Sequence, residues 1–392
     1  MNNFDERTEN LKEYVKGLGA RADGQELYLR HKEFIEKITP QEAFEVFKSI
    51  LDEGAEPHDI LIYLDKAINA FFKSLSDYKW EKPQNDNYID DMLKENKALV
   101  EKTDEIKILL KESDLKVKKE KILEKLLELE SFNAHYIKKE NILFPYMEKA
   151  APRFEGLSVM WALHDEVREQ LKTAIQTVKD ESSNEQQINI SIARLFFGIL
   201  GVKKKEELIL IPAACELLSE KDWYEMHRQS LEYDFPFINK DKETFMESPS
   251  HEMSAAGVFR TETGEMNFEE ILMVFNALPV DLTFVDEFNK VRYFSNSKDR
   301  IFPRSPAVIG RSVNNCHPPQ SVHIVEEIIQ SFREGKEDSA KFWINIKGRL
   351  ILIQYFALRD AAGKYKGVLE VSQDITDIKN IDGERRLLTW EK

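Results

Sequence analysis

Cysteine is nearly missing from this sequence: Cys215 and Cys316 are the two among 392 residues. Two isolated thiols build neither a disulfide framework nor a cysteine-rich zinc site, and the expected compartment is the reducing cytoplasm. Long apolar runs are lacking as well. The best of them, residues 193–202 and 368–371, fall short of the ~20 residues that a bilayer core requires, so no membrane span is expected. Met1 to Arg7 offers no basic stretch followed by an apolar one, and no secretory signal is expected. Positive charge is outnumbered, with 56 Lys and Arg against 71 Asp and Glu, a formal net charge of −15. A surface of that sign does not neutralise phosphates, which argues against nucleic acid as a partner. The sequence also has no Gly-rich phosphate loop, nucleophile elbow or kinase signature, so no enzymatic activity is expected.

What is present is material for cores. The 24 Phe, 12 Tyr and 5 Trp exclude disorder as the general state. The length suits two to four domains of ~100–200 residues, and composition divides the chain in three. Residues 1–80 read as short amphipathic helices, with Phe34, Ile38, Phe44, Phe47, Leu51, Ile60, Leu64, Ile68 and Phe72 at helical spacing and breaks at Thr39-Pro40 and from Gly54 to Pro57. Residues 88–231 keep the helical period over four longer segments with short joints, the pattern of an antiparallel four-helix bundle. Residues 232–267, with Pro236, Pro249, Gly257 and Gly264 and no sustained period, read as a linker. From 268 to 378 the period switches to two. Strands are expected near 282–286 and 291–295, then a helix near 322–332, then a three-stranded meander with turns at Lys347-Gly348 and Ala362-Gly363, together a compact α+β domain. Residues 379–392 remain as a tail. The fold class is therefore multidomain: an all-α amino-terminal two-thirds, a small helical module plus the bundle, followed by an α+β domain.

Metal sites in bundle cores use His and carboxylates at helical spacing on facing helices. Three segments carry such residues: His135 to Pro145, Met160 to Arg168 and Val202 to Pro212. With Phe132 as zero and ~100° per residue, Tyr136 lies at about 40°, Lys139 at about −20°, His135 at about −60° and Glu140 at about 80°. His135 and Glu140 thus flank the buried stripe and Lys139 points nearly into it.

Here the sequence resembles the hemerythrin-like, cation-binding four-helix bundles, whose pattern is His, three residues, Glu, then an apolar run ending Phe-Pro, with a further His on another helix. Aligned on the Pro, His135 and His164 fall on the His positions and Glu206 on the ligand Glu of the last helix. Lys139 stands at the first ligand Glu, Val202 at the last-helix His, and Asn87 where a first-helix His is expected. The resemblance therefore implies neither a full di-iron site nor oxygen carriage. His135, Glu140, His164 and Glu206, with Glu207 as an alternative to Glu140, are the residues it leaves for one mononuclear ion, iron being the implied metal. The residues equally allow an empty site, with Lys139 and Glu206 as a buried ion pair and the two His as hydrogen-bonded core residues.

Across nearly the whole chain the sequence resembles a bacterial architecture of three parts: the helical domain of unknown function 438, a hemerythrin-like bundle and a PAS domain. In that family the segment after the Glu53-Gly54 turn carries Leu-Cys-Asp-x-His. This chain has Tyr63-Leu64-Asp65-Lys66-Ala67, without either soft ligand, and His31 and His58, each alone among charges, are expected at the surface. The PAS resemblance rests on Leu278 to Asp286, Val291 to Ser295, Ile309 to Pro319 with its Cys316-His317-Pro318, and the closing Gln373-Asp374-Ile375-Thr376. It implies a pocket that holds haem, flavin, a small metabolite or nothing. Candidate lining residues are Phe284, Tyr293, Phe302, Trp343 and Tyr355, and His317 with His323 beside Cys316 are candidates for haem ligation or redox sensing. The alternative for His317 is a plain helix start.

Sixteen residues follow Thr376, which leaves no expected output domain, so a signal would leave by protein contact. A homodimer or partner docked on the PAS face or on the final segment, Arg385 to Lys392, is the expected route. Three functions fit: a cytoplasmic sensor of a small ligand, metal or redox state; an iron-binding redox or iron-handling protein; and an interaction scaffold with a vestigial metal site.

Overall fold

The computed structural model describes residues 3–83, 87–151, 154, 157–240, 258–261, 264–298 and 300–384. Most of the expected linker (241–257, 262–263) and the docking segment 385–392 lie outside the described residues. The chain forms two compact units, essentially residues 1–246 and 247–392.

The first unit begins with α1 (Asn3–Gly19), α2 (Gly24–Ile35), α3 (Pro40–Asp52) and α4 (Pro57–Asp77). Local chemistry sets their ends. Asp23 caps α2, accepting the backbone N–H groups of Gln25 and Glu26. Thr39 and Glu42 form a reciprocal capping box at α3, with Pro40 in its first turn, where a missing N–H costs nothing. Glu42 also accepts from Arg7 of α1 at 2.5 Å, which fixes α1 against the start of α3. Gly54, at φ 93°, turns the chain towards α4. Two residues depart from the expected pattern. Phe72 is 45% exposed beneath the Lys204 ammonium, and Phe71 is the buried ring instead. His31 is 2% exposed and packs near Tyr14, because Leu27, His31 and Ile35 recur every four residues on the inner face of α2. His58 is exposed as expected.

The bundle follows. Its four rods are α5 (Asn87–Leu109); α6 (Leu115–Leu129), continuing through a 3-10 turn into α7 (Asn133–Lys138) and α8 (Phe144–Ala150); α9 (Ser158–Lys179); and α10 (Glu185–Lys205), continuing into α11 (Ile211–Leu217). A shorter α12 (Glu220–Ser230) closes the unit. Two rods are interrupted by one π turn each, Lys139–Leu143 and Glu206–Leu210, and each turn is followed by an apolar residue and a proline, Phe144-Pro145 and Ile211-Pro212. The proline ring would collide with the carbonyl four residues back in a regular helix. Widening to an i→i+5 bond, Phe144 N–H to Lys139 C=O and Ile211 N–H to Glu206 C=O, lets the helix continue.

One apolar core runs through module and bundle alike, from Leu11 to Tyr233. Phe44 of α3 sits edge-on to Phe154 at 4.8 Å, and Lys205 of α10 pairs with Asp65 of α4 at 2.5 Å. Phe44, Phe47, Leu64 and Ile68 face Met160, Leu163 and Ile209 across an apolar cavity of about 40 Å³.

The second unit opens with a short hairpin, β1 (Val258–Thr261) and β2 (Gly264–Asn267), within the segment read as linker; four residues per strand are too few to display a period. Then come α13 (Phe268–Ala277), β3 (Asp281–Asp286), β4 (Val291–Phe294), α14 (Pro319–Arg333), β5 (Ser339–Ile346), β6 (Arg349–Arg359), β7 (Tyr365–Asp374) and α15 (Thr376–Lys379). The five strands β3 to β7 form an antiparallel sheet in the order β4-β3-β7-β6-β5. Val285, Ile351, Ile353, Tyr355 and Val368 on one sheet face share a core with Val325, Ile329 and Phe332 of α14. The expected turns are present, with Lys347 and Gly348 both at positive φ between β5 and β6. The closing Asp374-Ile375-Thr376 is a structural lock: the Thr376 N–H donates to Asp374 (2.9 Å) while the Thr376 hydroxyl oxygen accepts the Leu350 N–H (2.8 Å).

Candidate functional site

In the bundle the candidate ligands lie close together and are wholly buried. His135 has Nδ1 2.7 Å from Glu95 and Nε2 3.1 Å from Glu206, whose same oxygen also accepts from Asn96 Nδ2 at 3.1 Å. The other oxygen of Glu206 is paired with the Lys139 ammonium, and Glu95 with that of Lys138. His164 has Nδ1 2.8 Å from Glu140, and Arg168 holds both Glu140 oxygens at 2.8 and 3.0 Å. The imidazoles are clamped by rings: His135 stacks on Phe132, and His164 lies between Tyr136 (4.4 Å, 16°) and Phe144.

Burial dominates the electrostatics. It holds both imidazoles well below the usual histidine range and pushes Glu95 and Glu140 up to about 7, even with Lys138 and Arg168 pulling the other way. The Lys139 and Lys138 ammoniums are pushed down by the same desolvation. His135 faces two carboxylates, each of which also meets a lysine ammonium.

The mononuclear ion that the resemblance implies would need free donors from these residues, and the donor set does not fit one. Both Glu206 oxygens, both Glu140 oxygens and both His135 nitrogens already face protein partners. His164 Nε2 is buried with no hydrogen-bond partner among the described residues, and Glu206 Oε1, likewise without a hydrogen bond, is occupied by the Lys139 ammonium, which leaves no set of free donors for an ion. Val202 is plain core, and Glu207 pairs with Lys203 at 2.6 Å near the surface. Among the described residues, no three His, Cys, Asp or Glu side chains are grouped to hold a metal.

Sequence reasoning missed Glu95 and Lys138. Lys138 falls about 120° from Phe132 on a regular helix. It is nevertheless buried, because that side of the rod is covered as well: its ammonium meets Glu95 of α5 and lies 4.0 Å from the Phe235 ring. A glutamate amid the apolar positions of α5 was the available signal for Glu95.

In the carboxy-terminal unit the register separates the expected lining residues. Trp343 pairs with Leu352, and Phe284 with both Leu369 and Tyr293, which places Phe284, Tyr293 and Trp343 on the sheet face opposite the core; Trp343 is 63% exposed. Tyr355 lies on the core face, and Phe302 packs against that core. His323 is exposed on α14, whereas His317, just before that helix, donates its Nδ1–H to the Val313 carbonyl at 2.8 Å. Beside it on the core face is a polar group that the sequence pattern did not single out. Glu370 pairs in register with Tyr355 and Thr283, and Arg304 reaches it at 3.5 Å. Burial, with Glu370 next, pushes the Tyr355 hydroxyl up, and the charges of Glu370 and Arg304 also act on His317. A glutamate at an inward position of the apolar run Val368 to Ser372 is the sequence signal for this cluster.

Residues 87–214 match the hemerythrin HHE cation binding domain family, and residues 271–376 match a PAS domain family. No curated protein matches the chain. Among solved structures, the C-terminal domain of a Streptococcus mutans protein is 30% identical over 32% of this chain and 98% of its own, with a TM-score of 0.31. The PAS domain of a Colwellia psychrerythraea protein is 17% identical over 28% of this chain and 97% of its own, with a TM-score of 0.23. The sensor region of a sensor histidine kinase is 18% identical over 25% of this chain and 40% of its own, with a TM-score of 0.20.

Proposed function

From a chain that joins a hemerythrin HHE region to a C-terminal PAS domain, we propose a sensory protein whose PAS domain binds a small molecule on the core side of its sheet and passes the change on by protein contact. The observation that carries the reading is Arg304. Its side chain is 9% exposed, yet its Nε has no hydrogen-bond partner among the described residues while its far nitrogen reaches Glu370. A buried donor left open costs about 1–3 kcal/mol, which an acceptor on a ligand would recover. Glu370 offers an acceptor beside it, so the cluster suits a small polar molecule carrying both donors and acceptors.

The relay surface in this reading is α13 with the outer face of the sheet. Phe268, Met273 and Val274 of α13 and Trp343 of β5 stand largely exposed, and Phe275 contacts Tyr293 on that outer face. Exposed apolar surface of this kind marks protein interaction sites. The chain is then a binding protein without a reaction of its own.

Mass spectrometry of the whole chain, purified from cells under non-denaturing conditions, tests the proposal. An added small-molecule mass is expected that Arg304→Met and Glu370→Gln both remove while circular dichroism stays unchanged. A bare polypeptide mass, together with a melting point that no member of a metabolite panel shifts, would sink it.

A further inference from the structure

The three buried carboxylates beside the bundle's imidazoles each face a protein cation, Glu95 with Lys138, Glu206 with Lys139 and Glu140 with Arg168, and a fourth buried carboxylate, Asp91, faces Lys240. From this pairing we infer that the bundle completes its centre with its own cations and takes up no metal ion. Each of these pairs is neutral as a unit whichever partner holds the proton. The three pairs therefore carry no excess negative charge to attract a divalent ion; Asp165, the second carboxylate on Arg168, is the more exposed of the two, at 12%. Inserting one would place two positive charges next to the Lys139 ammonium in a site closed to water, where like charges repel most strongly. Room is lacking too: the cavity between Lys139, Glu206, Met92 and Trp223 measures about 10 Å³, the lower limit for one water. Lys139 is 1% exposed, with its ammonium set against Glu206 and 4.7 Å from the Tyr136 ring, so clearing space for an ion means breaking both contacts.

The inference concerns the bundle and stands or falls separately from the PAS ligand. It is tested on the whole chain, expressed in medium supplemented with iron, zinc and manganese. Elemental analysis should find far less than one ion per chain, and added Fe²⁺, Zn²⁺ or Mn²⁺ should leave the melting point of the bundle unmoved. Lys139→Met, which strands Glu206, should lower that melting point by about 10 °C. The double variant Lys139→Met with Glu206→Met should regain most of the loss, and it keeps the test informative where the single variant fails to fold. Stoichiometric metal that disappears in His164→Ala overturns the inference, and so does a Lys139→Met chain as stable as the parent.

Discussion

At Arg168 one guanidinium answers three neighbours, holding both oxygens of Glu140, Asp165 at 2.8 Å and Asn133 at 2.8 Å. Removing it as Arg168→Met leaves Glu140 buried without its cation and should cost about 3–5 kcal/mol in urea unfolding. Arg168→Lys should recover part of this, since a lysine keeps the charge and loses the fork. His31 gives a pH prediction. Burial lowers its pKa from 6.5, so the unfolded chain binds the proton more readily. The stability it contributes is present above pH 6.5 and is lost as pH falls through its lower folded value. His31→Phe should accordingly flatten part of the acid limb of a melting-point-versus-pH curve; an unchanged limb would count against this role for His31. At this scale the sequence was informative where a residue could be tied to a landmark. His135, Lys139, His164 and Glu206 were found by counting from Phe-Pro, and Lys139 pairs with Glu206 as its place in the motif suggests. Partners on other rods, Glu95 above all, have no such landmark, because side chains that meet in space leave no spacing in the chain.

Among elements, the strands and turns of the carboxy-terminal unit were the most readable, because alternation and a Lys-Gly or Ala-Gly turn are both local. Which face of the sheet would be covered was not readable: both carry aromatics, and the choice is made by α14, many residues away. The π turns were hidden for the opposite reason. A hydrophobic period averages over one inserted residue, and the proline that forces it lies beyond the turn. α13 is the element whose partner is least accounted for within its own unit: Phe268, Leu272, Met273 and Val274 are all exposed. If that helix is the contact surface, Met273→Glu should shift the chain to a smaller species in sedimentation velocity, or abolish capture of a partner, without changing its melting point. A sedimentation coefficient unchanged by the substitution, with partner capture intact, would remove α13 from the relay.

For the whole molecule, the polar stretch around residues 79–87 suggests a seam between module and bundle, yet one core passes beneath it. Composition registers where a chain is solvated, whereas the apolar residues that join α3 and α4 to α9 would serve equally well inside either part. Two heat-absorption transitions are therefore expected by calorimetry, one for each compact unit. Lys139→Met should move one of them and leave the other in place. Three transitions, or one that moves as a whole, would contradict this division.

The shared core also bears on how such a chain can be inherited. Phe44, Phe47, Leu64 and Ile68 sit on one side of the seam and Met160, Leu163 and Ile209 on the other, with little spare volume between them. A recombination event that joined this amino-terminal module to a foreign bundle would bring together two faces shaped for other partners. Substitutions on one side of the seam should therefore track those on the other, and module and bundle should travel through genomes as a single heritable block.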